Sequence, residues 1–153
     1  MCLLPATSVI TTHGPTPIAL VRAGMRVLAR DLEKEELRWR SVIEVFSTHS
    51  GYRVDVVRLF LQARNGVQTE IDATSTHPFY VNGKGWTSAA NLVAGNDSLV
   101  DIYGRAVRLT KRLSIDLPGP VHNLEIDLFH TYFIGAAAVL VHNSFRQGSE
   151  GRL

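Results

Sequence analysis

The feature that most constrains this chain is a period-two alternation of apolar and polar residues, interrupted every few residues by a turn. "YRVDVVRLFLQA" (52–63) and "TEIDATS" (69–75) alternate on either side of a connection that holds Asn65-Gly66. Both turn residues tolerate positive φ, so the pair marks a hairpin. Short runs rich in Val, Ile, Thr and aromatics recur at "TSVITT" (7–12), "RVLARD" (26–31), "SVIEVFS" (41–47) and "HPFYV" (77–81). "HGPTP" (13–17) and "NGKG" (82–85) have turn composition. The pattern continues through "DSLVDIYG", "AVRLTKRLSI", "PVHNLEID", "HTYFIG" and "AAVLVH". Strands this frequent, with turns between them, predict an all-β fold.

Two stretches compete with that reading. "TSAANLVAG" (87–95) opens on Thr87 and Ser88 as candidate N-caps and closes on Gly95, enough for one or two helical turns. "DLEKEELRWR" (31–40) places opposite charges at helical spacing and fits a long hairpin tip equally well. Nothing reads as an interdomain linker, so residues 1–143 are expected to form one domain. Residues 144–153 have the Ser/Gly/Arg/Glu composition of a flanking tail with no core to join.

Composition narrows the function. The chain is 45% apolar and 20% charged, enough for an ordinary core, with a net charge of +2. No dense basic run with interleaved aromatics appears, which argues against nucleic acid as a partner. The longest near-apolar run, "YFIGAAAVLV" (132–141), is half the roughly 20 residues that a membrane-spanning helix needs, so no membrane span is expected. "MCLLPATSVI" lacks the basic region and cleavage site of a signal peptide.

The single cysteine, Cys2, rules out an internal disulfide and invites a question about chemistry. There is also a short internal echo: "HPFYV" from His77 and "HTYFI" from His130. Each pairs a His with a strand that carries aromatics, and alternation sets His77 on the face of Phe79 and His130 on that of Tyr132. "VLVHNSF" then ends an apolar run on His142, Asn143 and Ser144.

These residues leave three options. A Cys2 nucleophile with His77 or His130 as base would make a hydrolase, because a free thiol with pKa near about 8.5 needs a neighbour to ionise. Cys2, His77, His130 and His142 are competent zinc ligands, but no pair shows a close ligand spacing, and no metal or cofactor is expected. The third option is chemistry on the chain's own backbone. A thiol can attack the carbonyl before it, and an asparagine amide can attack its own carbonyl and cut the bond after it. Such attacks need oxyanion donors and a proton for the leaving amine. Imidazoles suit the proton transfer, and enforced proximity supplies on the order of 7–11 kcal/mol. This option asks for a Cys at the start, His-Asn at the end and further His between them.

At that point the chain resembles the Hint (Hedgehog/intein) family, and within it the bacterial intein-like and pretoxin group. The resemblance rests on "ATSVITTHGPTPIALVRAGMRVLARD", "IDATSTHPFYVNGKGWTSAANLVAGNDSL" and "VHNLEIDLFHTYFIGAAAVLVHN", in that order and from Cys2 to Asn143. It implies a Hint horseshoe built of β subdomains related by a pseudo-two-fold, with the termini side by side. It implies that Cys2 performs an N–S acyl shift, while Thr74 and His77 bind and protonate the amide between residues 1 and 2. His142 and Asn143 become the terminal pair, with Asn143 cyclising and His130 assisting. Ser144 takes the place of the downstream nucleophile, and Asn123 stands where many inteins have Asp. The implied partners are the chain's own flanking polypeptides, processed by a monomer either in the cytoplasm or within a larger secreted or toxin protein. Met1 is the upstream segment in this sequence; were it trimmed, only the C-terminal cut would remain. His13, His49 and His122 are assigned to surface or turn positions.

Overall fold

The computed structural model describes residues 2–48 and 53–143; Met1, His49, Ser144 and the rest of the 144–153 tail, with the expectations attached to them, lie outside the described residues. Among the described residues the alternating runs form thirteen antiparallel strands in one sheet. They are β1 (Ser8–Thr11), β2 (Gly14–Pro17), β3 (Arg26–Asp31), β4 (Glu36–Ser47), β5 (Arg53–Gln62), β6 (Gln68–Thr74) and β7 (Pro78–Val81). Then come β8 (Gly85–Ser88), β9 (Ser98–Val100), β10 (Ala106–Pro118), β11 (His122–Ile126), β12 (Thr131–Ile134) and β13 (Val139–His142).

The strand order is β11-β4-β3-β1-β12-β13-β7-β9-β10-β5-β6, with β2 attached to β1 and β8 to β7. The sheet curls strongly, and its two end strands meet at the start of the chain. Leu3 and His122 on β11 exchange both backbone hydrogen bonds at 2.7 Å. On its other side Leu3 pairs with Ala73 on β6. One residue therefore ties both edges of the sheet, satisfying backbone groups that an open edge would expose. Leu3 is fully buried, in a core that includes Phe79, Tyr132, Leu59, Leu99, Leu124 and Ile134.

The structure decides one open reading and corrects two others. Residues 31–40 form a hairpin tip: β3 and β4 pair from Arg26↔Ser41 to Asp31↔Glu36. Asp31 Oδ1 accepts the backbone N–H of Glu33 at 3.0 Å, and Glu35 takes a positive φ of 54°. Cross-strand partners such as Leu28↔Trp39 outweigh the local helical preference. In 87–95 the two candidate caps end β8, and only a 3-10 turn, Ala89–Asn91, follows. In 13–17 the turn is confined to Thr12-His13, and Gly14–Pro17 is itself a strand. Its two prolines are tolerated because β2 has a neighbour on one side only.

The pseudo-two-fold is carried by a motif other than the His-aromatic echo. In each half a hairpin (β1–β2, β7–β8) runs into a 3-10 turn, Ile18–Leu20 or Ala89–Asn91. Each turn leads to a glycine with positive φ, Gly24 at 93° or Gly95 at 81°, and then to β3 or β9. The matching segments read "IALVRAG" and "AANLVAG". β7 and β12, the strands that follow His77 and His130, instead flank β13 on its two sides.

Candidate active site

The chain start lies in a backbone cradle. Thr74, at the end of β6, donates its N–H to the Cys2 carbonyl at 2.9 Å. The Cys2 N–H in turn donates to Thr74 Oγ1 at 2.7 Å. The Thr74 side chain thus holds the nitrogen of the Met1–Cys2 amide. On the β11 side, the Leu3↔His122 bridge, continued by one residue, sets Cys2 opposite Asn123. Asn123 is fully buried. Its Oδ1 accepts the Leu124 N–H at 2.8 Å and the Tyr132 hydroxyl at 2.9 Å. With the oxygen held by both donors, Nδ2 points elsewhere, buried and without a hydrogen-bond partner.

The last described residues come to the same place along β13. Its pairing with β12 runs from Ile134↔Val139 to Thr131↔His142. One step further, the Asn143 N–H donates to the His130 carbonyl at 2.9 Å. On the other side β13 pairs with β7 at Val141↔Phe79, a register that sets His77 opposite Asn143. A tight turn joins the two cradles, because the His77 N–H donates to the Thr74 carbonyl at 3.0 Å. His77 is fully buried with its ring against Phe79, centroids 5.7 Å apart. His77 and Phe79 share a face, as alternation requires. His130 departs from that rule. Its φ of 58° takes it out of the extended conformation, and it is exposed while Tyr132 is fully buried.

Electrostatics separate these groups. Burial pushes the Cys2 thiol up, so it rests as the neutral thiol. Burial pushes the His142 imidazole down to about 4, and nearby His130 adds to the effect. His142 is therefore neutral at neutral pH. Burial also lowers His122, with a further contribution from Arg22. The Tyr132 hydroxyl is held well above its ordinary range by burial, then by the nearby Cys2. It stays protonated and donates to Asn123.

Of the residues singled out in the sequence, Cys2 and Thr74 are in direct contact, and His77, His130 and Asn143 line up across three neighbouring strands. His142 adjoins them, its ring 6.2 Å from that of His130. Ser144 lies outside the described residues. The reading of His122 as a surface residue is corrected: it is half-buried, and its backbone clamps Leu3. Sequence reasoning also passed over Tyr132 and Trp86. The Trp86 ring meets His142 edge-on at 5.0 Å. Pairing of β7 with β8 brings it there, which no local sequence signal reports. Among the described residues no group of three or more His, Cys, Asp or Glu is arranged to hold a metal, and no helix is long and apolar enough to cross a membrane.

No curated protein matches the chain. Among solved structures, the bacterial intein-like domain from Clostridium thermocellum shares 30% identity with a TM-score of 0.82, covering 93% of this chain and 98% of that one. A DnaB intein from Synechocystis sp. PCC 6803 superposes with a TM-score of 0.74 at 19% identity, covering 94% and 98%. The gp41-1 intein does so with a TM-score of 0.72 at 19% identity, covering 93% and 98%. At 19% identity the two inteins show the shared fold alone. The family model described as the pretoxin Hint domain matches residues 8–144. The curled antiparallel sheet and the intein-like relative agree with that match, and the chain belongs to the pretoxin Hint domain family.

Proposed function

We propose that residues 1–143 form an intein-like autoprocessing domain that acts once, on its own flanking polypeptides. The observation that carries this reading is the convergence of the two junctions. The Asn143 N–H is bonded to His130 on one side, the register sets His77 on the other, and the Cys2–Thr74 pair is one tight turn away.

At the upstream junction Cys2 Sγ attacks the Met1 carbonyl carbon. A thioester forms, the Met1–Cys2 C–N bond breaks, and the proton lost by sulfur is matched by one gained at the departing nitrogen. Thr74 holds that nitrogen, and His77 is the proton donor to it. At the downstream junction Asn143 Nδ2 attacks the Asn143 carbonyl carbon. A succinimide forms and the bond to Ser144 breaks. The proton shed by Nδ2 is balanced by the one the Ser144 amine takes up. His142, neutral in its buried setting, accepts the first and returns the second. A Ser144 hydroxyl that captured the thioester would turn two cuts into splicing. Residues 144–153 serve only as flank.

The test is intact mass after expression with folded proteins fused at both ends. C-terminal release that vanishes in Asn143→Ala supports cyclisation. A ligated product lost in Cys2→Ala supports splicing. An unchanged precursor after long incubation with thiol overturns both and leaves a non-catalytic Hint-fold module. Turnover of an added peptide at constant mass would identify a cysteine hydrolase.

A further inference from the structure

His142 has an unusual neighbour for a histidine at a reactive junction. Trp86 sits on β8, the short strand attached only to β7. Its ring packs edge-on against the His142 imidazole, with centroids 5.0 Å apart and planes at 71°. It is braced from behind by Tyr80, its cross-strand partner, at 5.1 Å and 77°. Trp86 is 37% exposed, so one part of the indole faces solvent and the rest covers the imidazole. Among the described residues His142 Nδ1 is buried and has no hydrogen-bond partner. A packed ring with an unclaimed nitrogen is held by shape rather than by hydrogen bonding at that atom.

We propose that Trp86 is a positioning residue for the downstream reaction: its edge fixes the His142 ring at the end of β13 and keeps water off it. The inference rests on the autoprocessing reading of Asn143. It also has a consequence of its own, since a desolvated imidazole resists protonation and stays available as an acceptor. The other charged or titratable groups facing this ring are His130, which precedes β12, and Arg30, Asp31, Glu33 and Lys34 of the β3–β4 hairpin, which line the same cleft as Trp86 and His142. The cleft therefore has charges of both signs around one neutral acceptor. Uncovering the ring would admit water to it.

The experiment uses the full chain with a folded protein fused after the tail. The His142 pKa is read by NMR in the non-cleaving Asn143→Ala background, with and without Trp86→Ala. It is expected to rise from about 4 toward 6.5. In the cleaving chain, Trp86→Ala then lowers the release rate at pH 6 relative to pH 8 by up to roughly fourfold, because only about a quarter of the imidazole stays neutral at pH 6. Trp86→Phe, which keeps an aromatic edge, restores both values. If Ala unfolds the chain, Trp86→Gln keeps more of the side chain, brings a polar atom to the ring and carries the same expectation. A folded variant whose His142 still titrates near 4, or whose pH profile parallels the parent's, overturns the proposal. A parent chain that never cleaves overturns the autoprocessing reading instead, and the NMR titration still decides whether Trp86 controls His142.

Discussion

The two junctions of this domain are held in different ways. Around Cys2 the backbone is fully engaged: its N–H and carbonyl both bond to Thr74, and Leu3 exchanges two bonds with His122. Among the described residues, Asn143 makes one backbone bond, to His130, and the buried side-chain nitrogens Asn143 Nδ2 and His142 Nδ1 have no partner. A buried donor without an acceptor carries a desolvation cost of about 1–3 kcal/mol. Both sides thus hold an unpartnered buried amide nitrogen, Asn123 Nδ2 opposite Cys2 and Asn143 Nδ2, and the difference lies in the backbone, which is clamped more fully around Cys2. On the proposed reading, the upstream step would depend on geometry imposed by strand pairing, and the downstream step on the protonation and packing of side chains.

The largest expected effect tests that division directly. Asn143→Ala removes the attacking nitrogen and should abolish downstream release, while thiol-induced release of an upstream fusion continues. Loss of both steps would show one coupled centre instead of two. Next in size is Thr74→Val, which keeps the β-branched shape and removes the oxygen that accepts the Cys2 N–H. Losing such a contact at a reacting amide should slow upstream thiolysis roughly 10²–10³-fold and leave downstream release, measured in Cys2→Ala, within about threefold.

The third prediction concerns acid. The folded His142 pKa of about 4 lies below its ordinary value of 6.5, so the unfolded chain binds a proton that the folded chain refuses. The stability tied to a neutral His142 is present above pH 6.5 and lost as pH falls toward 4, by about 3 kcal/mol. Urea midpoints of Asn143→Ala, with and without His142→Gln, should diverge in slope over that window; parallel curves would remove His142 from the comparison. The smallest effect is expected from Tyr132→Phe, which deletes the hydroxyl bonded to Asn123 and should cost about 1–2 kcal/mol in thermal or urea unfolding.

Much of the fold was legible in the sequence because a half-buried sheet writes its period into the chain. The 26–31 run is β3 to the residue, and Asn65-Gly66 marks the β5–β6 hairpin. Elsewhere long-range pairing decided what local composition could not. The charged 31–40 stretch fits a helix or a hairpin tip equally well by composition, and pairing makes it the β3–β4 hairpin. The prolines of Gly14–Pro17 argue for a turn until β2 is seen at an edge. At the site, Cys2 and Asn143 announced themselves by residue type and position. His122, Tyr132 and Trp86 did not, because their roles come from the strands beside them. His130 shows the limit of periodicity: the alternation rule ends where its φ turns positive.

Leu3 has a further consequence, one of timing. It joins Ala73 to His122, so its partners lie near the middle and near the end of the chain. During synthesis from the N-terminus, Cys2 waits until the ribosome has passed β11 before its cradle exists. The residue that closes the sheet thereby dates the cradle: the surroundings of Cys2 are complete only once β11 has been made.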